Sequence, residues 1–221
     1  MNYDCLYVTG CSFTYGDGLE ESVRQDSNWA GLIGARLGIP VINQSRGGGS
    51  NDMIYRAAVT GISQLLAQSR KPLVIICWTA RHRREIFDIQ QNRYRSVMPP
   101  FDNAMLERFR CDRAQYDQLY FEYHSSEDDD IVKTLIYKIG LQSFLDCNGV
   151  NHLFTSVWGL IPVDPRPYQY LVKQIRQTDF CLIDLYDRSM NLPCLHPNAA
   201  AHQLIADRLL QELVRKNQIP G

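Results

Sequence analysis

The sequence contains no apolar run that could cross a membrane. Such a span needs roughly 18 to 20 consecutive apolar residues, and none of the runs among these 221 residues approaches that length. The beginning of the chain, MNYDCLYVTG, also lacks the basic start and the long apolar segment of a signal peptide. We therefore expect a cytoplasmic protein that has no membrane partner.

A strong net charge and a cysteine motif are missing as well. The formal net charge is −1, so the chain has no general positive field to attract nucleic acid, and we expect no nucleic-acid partner. The seven cysteines are scattered and form no CxxC pair, which leaves neither a zinc motif nor a disulfide framework. The sequence therefore predicts no metal site.

What the sequence does have is a hydrophobic content of 45%, which is ample for one large core. We predict a single domain over residues 1–221. Short apolar runs alternate with segments whose apolar residues recur at helical spacing. The runs that predict strands are 5–9, 40–43, 72–78, 152–158 and 180–186. This alternation predicts an α/β fold, a three-layer α/β/α sandwich around a five-stranded parallel sheet.

Helix start and stop signals lie between these runs. Ser27 and Asn28 can cap a helix that Gly38 and Pro40 end. Three further helices are predicted, at 51–69, directly after 128–130, and at 198–216. The second of these three has apolar residues that we expect to share its core-facing side: Val132, Leu135, Ile136 and Ile139.

One segment interrupts the alternation. Residues 80–128 form a long connection after the third strand, and connections of that length are usually functional or disordered. Aromatic residues and arginines favour an ordered insertion, a helical lid or side wall that selects the substrate, over a flexible linker. Its aromatic residues include Tyr94, Phe101, Phe109, Tyr116, Tyr120, Phe121 and Tyr123. We expect most of them to build a small satellite core.

Candidate chemistry lies in the loops at the carboxyl ends of the strands, where open parallel sheets bind ligands. Ser12 follows the first strand, the glycine run of NQSRGGGSND follows the second, and His196 precedes the last helix. A serine, a glycine loop and a late histidine are the parts of an acyl-transfer site. Each also has a plainer alternative, as a turn residue, a helix cap or a helix-start residue. Cys11 could replace Ser12 as nucleophile, although alternation along the strand aims it away.

The order of these motifs resembles the SGNH (GDSL-type) hydrolases. The residues that match are Gly10-x-Ser12, Gly48-x-Ser50 and His196-Pro197. The resemblance spans almost the whole chain, with the insertion outside it, and implies a flavodoxin-like sheet and an esterase or related acyl hydrolase without a cofactor. By the same resemblance, Ser12 is the nucleophile, His196 is the general base, and the N–H groups of Ser12 and Gly48 belong to the oxyanion hole.

The chain departs from the family pattern at two site positions. Thr79 stands where the family has an oxyanion-binding Asn, and its hydroxyl can still donate one hydrogen bond. Pro193 stands where the family has the Asp that orients the histidine. We expect the orienting acceptor to be Asp184, with Asp187 or a backbone carbonyl as alternatives.

A charged cluster, Arg81-His82-Arg83-Arg84-Glu85, follows the third strand beside the proposed site. An arginine of this cluster that turns inward could bind a carboxylate or phosphate group of the substrate, and we choose Arg84. The alternative is a solvated surface run. We also expect Trp78 to contact the substrate.

These residues together predict a serine-dependent acyl-ester hydrolase that acts on a small-molecule or carbohydrate ester. The departures at 79 and 193 keep a second class open, a non-catalytic small-ligand-binding protein on the same fold. An acyltransferase that uses the same serine is a third possibility. The sequence leaves the acyl group, the alcohol and the oligomeric state open.

Overall fold

The structure is a computed structural model that describes residues 3–97, 120, 122–123, 126–159 and 168–220. Its strands are β1 (Cys5–Thr9), β2 (Val41–Asn43), β3 (Pro72–Trp78), β4 (Arg84–Asp88), β5 (Arg93–Val97), β6 (His152–Ser156) and β7 (Gln177–Cys181). Five of them form a parallel sheet in the order β2-β1-β3-β6-β7, and β4 pairs with β5 antiparallel. The flavodoxin-like parallel sheet is confirmed.

Helices connect the strands of the central sheet. They are α1 (Ser12–Tyr15), α2 (Arg24–Ser27), α3 (Trp29–Leu37), α4 (Asn51–Ala67), α5 (Glu127–Cys147), α6 (Gln169–Gln174) and α7 (Ala199–Arg215). The predicted cap of α3 is confirmed, because the Asn28 side chain accepts a hydrogen bond from the Gly31 N–H at 2.9 Å. Asn198 caps α7 in the same way, by accepting from the Ala201 N–H at 2.9 Å.

Alternation along the strands divides the core into two layers, one on each face of the sheet. Leu6 and Val8 of β1 face α3 and α7. Residues of α7 that pack in this layer include Ile205, Leu209 and Leu213. The intervening residues of β1 and β3 face α4 and α5 on the other side. The molecule is therefore the three-layer sandwich that the sequence predicts.

Two predicted elements differ from the structure. The fifth strand is Gln177–Cys181 instead of 180–186, and a 3₁₀ turn occupies Leu182–Asp184. The strand lies at the edge of the sheet, where polar residues are tolerated, so it did not appear as an apolar run. The apolar run at 180–186 instead covers the end of the strand and the turn that follows it. In α5, Ile136 is 59% exposed, while Lys138 is buried with its amine donating to Gln177 Oε1 at 2.9 Å.

The start of the insertion is an antiparallel hairpin formed by β4 and β5. Near its end, residues 120, 122 and 123 are helical. Arg56 of α4 fixes the hairpin through paired hydrogen bonds to Glu85, at 2.9 and 2.8 Å, and lies over the Tyr94 ring. Of the seven aromatic residues noted above, Tyr94, Tyr120 and Tyr123 lie within the described residues. The other four, Phe101, Phe109, Tyr116 and Phe121, lie outside them.

Helix α4 approaches the sheet closely at Gly61. The Tyr7 hydroxyl donates a hydrogen bond to the Ala57 carbonyl at 2.6 Å, and a Cβ at Gly61 would lie only 2.5 Å from that hydroxyl oxygen. Glycine at this position therefore lets β1 and α4 come together. Across the parts of the chain that the structure describes, we find no helix with the length and apolarity that a membrane crossing requires.

Candidate active site

Four of the predicted site residues lie at one edge of the central sheet. Ser12, Gly48 and Thr79 follow the carboxyl ends of β1, β2 and β3, and His196 lies in the loop between β7 and α7. In this strand order the connections change direction between β1 and β3, and ligand clefts of open parallel sheets form at such a point.

A sharp turn after β1 presents Ser12. Cys11 is the N-cap of α1, Ser12 is its first residue, and the helix ends at Gly16, which has a φ of 87°. Gly10 permits the turn, since a Cβ there would lie 2.2 Å from Thr14 Oγ1. The Ser12 side chain makes no hydrogen bond to any described residue. Ser12 is buried, with 5% of the residue exposed, and Cys11 is completely buried.

The glycine loop after β2 packs against the turn that holds Ser12. Arg46 N–H donates to the Gly10 carbonyl at 3.3 Å, and Gly49 N–H donates to the Arg46 carbonyl at 3.1 Å. Gly48 lies between them with a φ of 68°, a left-handed conformation that favours glycine. Within the described chain, neither the Ser12 N–H nor the Gly48 N–H has an acceptor, so both donors are free.

An asparagine holds Thr79 in place at the end of β3. Asn51 Oδ1 accepts from the Thr79 N–H at 3.0 Å, and Asn51 Nδ2 donates to the Thr79 carbonyl at 3.3 Å. The Thr79 hydroxyl is buried and has no partner among the described residues. Asn51 is a supporting residue that the sequence did not reveal, because it belongs to a different loop and helix.

His196 packs beside the Ser12 turn. Its ring lies 5.6 Å from the ring of Phe13, centroid to centroid, and its carbonyl accepts from the Leu192 N–H at 2.8 Å. Its Nδ1 is buried without a hydrogen-bond partner among the described residues. The Ser12 side chain has no such partner either, so no direct hydrogen bond joins the two groups.

The carboxylates expected to orient His196 lie elsewhere. Asp184 is exposed in the 3₁₀ turn after β7 and does not bond to the histidine. Asp187 accepts from the Ser189 N–H at 2.7 Å, and this hydrogen bonding lowers the pKa of its carboxyl. Both residues follow a strand that ends earlier than predicted, which explains why their positions do not match the expectation.

His202 is buried next to His196, with its Nδ1 accepting from the Trp29 N–H at 3.3 Å. Burial, with a smaller contribution from His196, lowers the pKa of His202 to about 4. It is therefore neutral in the folded protein and belongs to the packing of α7 against α3.

The two residues predicted to contact the substrate are engaged in the interior. Trp78 has no exposed surface and meets Phe154 edge to face in the layer below α4 and α5. Arg84 is also buried, and its guanidinium donates to Asp130, and to Asp129 at 3.3 Å. The expected inward turn of Arg84 is real, but its partners are carboxylates of α5.

Two residues beside the site were not chosen from the sequence, although Arg83 belongs to the charged cluster noted there. Arg83 is 8% exposed, and its guanidinium lies over the Trp158 ring at 4.8 Å. Trp158 in turn meets Phe13 edge to face at 5.3 Å. The position of Trp158, shortly after the fourth strand of the sheet, was a usable signal, because that loop reaches the same edge. No group of acidic, histidine or cysteine side chains suited to a metal ion occurs in the described ranges.

Solved structures with this fold include two esterases and the protein TesA. EstA, a psychrotrophic esterase from Pseudoalteromonas sp., has a TM-score of 0.54 and 12% identity, covering 98% of this chain and 100% of that chain. TesA has a TM-score of 0.56 and 14% identity, covering 95% and 97%. A family two carbohydrate esterase from Clostridium thermocellum, solved with cellohexaose, has a TM-score of 0.54 and 14% identity. The match covers 97% of this chain and 64% of that chain. At these identities the likeness establishes a shared fold.

One family model matches most of the chain, over residues 14–176, and is described as a family of unknown function. The matched range contains Gly48, Thr79 and Arg83, while Ser12 and His196 lie outside it. Among curated proteins, no sequence matches. The chain therefore belongs to the family of unknown function DUF6071.

Proposed function

We propose that this protein is a serine-dependent acyl-ester hydrolase. The observation that carries the proposal is the grouping, at one sheet edge, of a histidine with a serine and two backbone N–H groups that are free within the described chain. Phe13, the residue after Ser12, has its ring centroid 5.6 Å from that of His196. The esterases among the structural neighbours support ester hydrolysis as the class of reaction.

In the proposed reaction, His196 removes the Ser12 hydroxyl proton while Ser12 Oγ bonds to the ester carbonyl carbon. The N–H groups of Ser12 and Gly48, with the Thr79 hydroxyl, stabilise the negative charge that develops on the carbonyl oxygen. The ester C–O bond then breaks, and His196 returns the proton to the leaving alcohol. Water attacks the acyl-enzyme by the same sequence of proton transfers and releases the acid.

The proposed catalytic unit is a Ser-His dyad. No carboxylate of the described residues bonds to His196 Nδ1, so the imidazolium formed in the reaction lacks the stabilisation that an Asp supplies. Removing that Asp from well-studied triads lowers turnover by about four orders of magnitude. We therefore expect slow turnover with simple activated esters.

Covalent labelling tests the nucleophile. A fluorophosphonate probe should modify wild-type protein at Ser12, with the adduct located by mass spectrometry. Ser12→Ala should abolish the label, and the matched variant Ser63→Ala should retain it, since Ser63 is exposed near the far end of α4. Labelling of Cys11, or persistence of the label in Ser12→Ala, would assign the reaction to another group.

A non-catalytic ligand-binding protein is the second candidate function. The observation that favours it is His196 Nδ1, which has no partner in the described ranges, because an imidazole without an orienting partner is a weaker general base. Short-chain aryl esters and acetylated sugars separate the two candidates. Turnover that Ser12→Ala abolishes indicates an enzyme, whereas ligand binding that survives Ser12→Ala without turnover in wild type indicates a binding protein.

A further inference from the structure

Arg83 is a buried cation without a counter-ion in the part of the chain that the structure describes. Only 8% of the residue is exposed, and its Nε and Nη1 atoms have no hydrogen-bond partner among the described residues. A buried charge that lacks both a partner and water is strongly unfavourable, so such a group is normally paired. The backbone of Arg83 is satisfied, since its N–H donates to the Ala80 carbonyl at 3.2 Å.

The described carboxylates nearby already bind other arginines. Arg84 forms ion pairs with Asp130 and Asp129, and Arg81 forms one with Glu127. The hairpin carboxylate Glu85 forms its paired contact with Arg56. Three neighbouring arginines thus have partners in this part of the chain, and the guanidinium of Arg83 remains without an ion pair there.

Aromatic contacts connect Arg83 to the proposed active site. The guanidinium lies 4.8 Å from the centroid of Trp158, and the Trp158 ring lies 5.3 Å from that of Phe13. Phe13 directly follows Ser12 and packs on His196. Arg83 itself follows β3, at the same carboxyl edge of the sheet as Ser12 and Gly48.

We propose that Arg83 binds a carboxylate or phosphate group of the ester substrate, next to the bond that Ser12 attacks. Arginine stays charged when buried, and its planar donors match the oxygens of either anion. The Trp158 ring covers one face of the guanidinium and leaves its in-plane N–H groups for the anion. The inference rests on the proposed function only for the identity of the reacting bond.

Binding to an inactive protein tests the anion site separately from catalysis. Titration calorimetry of Ser12→Ala with monomethyl succinate and with methyl phosphate should give heat of binding for at least one of them, which identifies the anion. Neutral dimethyl succinate should bind about tenfold more weakly than the monomethyl ester. Adding Arg83→Gln should weaken binding of the preferred anion about tenfold or more, whereas adding Arg81→Gln should change it less than about twofold.

Kinetics then connect the anion site to the reaction. In wild type, kcat/KM for the nitrophenyl monoester of succinate should exceed that for uncharged nitrophenyl butyrate by about tenfold or more. Arg83→Gln should reduce this ratio by a similar factor, and Arg81→Gln should preserve it. If neither ester is hydrolysed, the proposed function fails, and the calorimetric result still decides the role of Arg83.

If Arg83→Gln does not fold, the preference for anionic over neutral ligands in protein that keeps Arg83 still tests the proposal. Arg83→Lys keeps the charge but loses the planar donors, so we expect intermediate binding of the preferred anion. A Ser12→Ala protein that binds monomethyl succinate and methyl phosphate no better than dimethyl succinate overturns the proposal. Anion binding that is equally tight with and without the Arg83→Gln substitution overturns it as well, and would indicate that Arg83 is neutralised by its own chain.

Discussion

At the scale of single residues, the buried His202 makes the fold sensitive to acid. Burial lowers its pKa from 6.5 to about 4, so the folded state resists protonation that the unfolded chain accepts. The contribution of neutral His202 to the free energy of unfolding is therefore complete above pH 6.5. This contribution is lost as the pH falls towards about 4. Over that interval the loss approaches about 1.4 kcal/mol of unfolding free energy per pH unit.

Replacing His202 by a side chain that does not titrate should reduce this acid sensitivity. His202→Asn keeps an oxygen that can accept from the Trp29 N–H but binds no proton. Urea unfolding at a series of pH values should show a variant that is less stable near neutrality, with a shallower decline in acid. Equal slopes for variant and wild type would assign the acid sensitivity to other groups.

The sequence could locate the site residues through their order along the strands, but it could not choose between neighbouring arginines. The rule that parallel strands end at one edge indicated the loops after the first three strands. The choice of Ser12, Gly48, Thr79 and His196 within the candidate site came from the resemblance to the SGNH hydrolases. Arg83 and Arg84 are adjacent in sequence. What distinguishes them is Asp130, which is distant in sequence and accepts a hydrogen bond from Arg84. That pairing is a tertiary contact, so it cannot be predicted from the residues next to Arg84 in the sequence.

At the scale of elements, the contact between α4 and β1 depends on the missing side chain of Gly61. A Cβ there would lie 2.5 Å from the Tyr7 hydroxyl oxygen and 2.8 Å from Tyr7 Cε2. Gly61→Ala should therefore destabilise the protein by about 1–3 kcal/mol, despite the better helix propensity of alanine.

Gly140 of α5 supplies the matched control, because its nearest neighbour would be the Tyr55 hydroxyl at an ordinary 3.4 Å. Gly140→Ala should stabilise the protein by up to about 1 kcal/mol in the same urea titration. Equal effects of the two substitutions would show that helix propensity, and not the approach of the two elements, decides the result.

The ion pair between Arg84 and Asp130 joins the start of the hairpin to the first turn of α5. Both side chains are buried, at 3% and 5% exposure, so removing Arg84 leaves the Asp130 carboxylate buried without this cation. Arg84→Met should cost about 3–5 kcal/mol of unfolding free energy. Arg81→Met, which breaks the exposed pair with Glu127, should cost at most about 1 kcal/mol. Similar costs for both would contradict the importance of burial.

Element boundaries followed from the sequence where capping residues mark them, as Asn28 and Asn198 do. They did not follow where polar residues enter the interior. Lys138 faces the sheet because its amine meets Gln177, so the apolar pattern of α5 alone misassigned Ile136 to the core. Polar pairing of this kind is invisible until both partners are placed.

At the scale of the whole molecule, the lid role of 80–128 stays a prediction. Arg56 holds the hairpin on α4, so the lid role is tested on the residues after β5. Replacing 98–119 with a short Gly/Ser linker should leave the sandwich folded, preserve hydrolysis of small esters and remove discrimination among larger ones. Unchanged selectivity in a folded variant would exclude the lid role, and global unfolding would show that the segment belongs to the core.

The distance in sequence between Ser12 and His196 has a consequence for the timing of activity. A nascent chain contains the serine once β1 has been made, but the histidine emerges only after all five central strands. Under the proposed function, a chain that ends before His196 therefore cannot hydrolyse an ester, and hydrolysis begins only when α7 docks. Recovery of ester hydrolysis during refolding should then lag behind recovery of helical circular dichroism, because helices form faster than distant contacts.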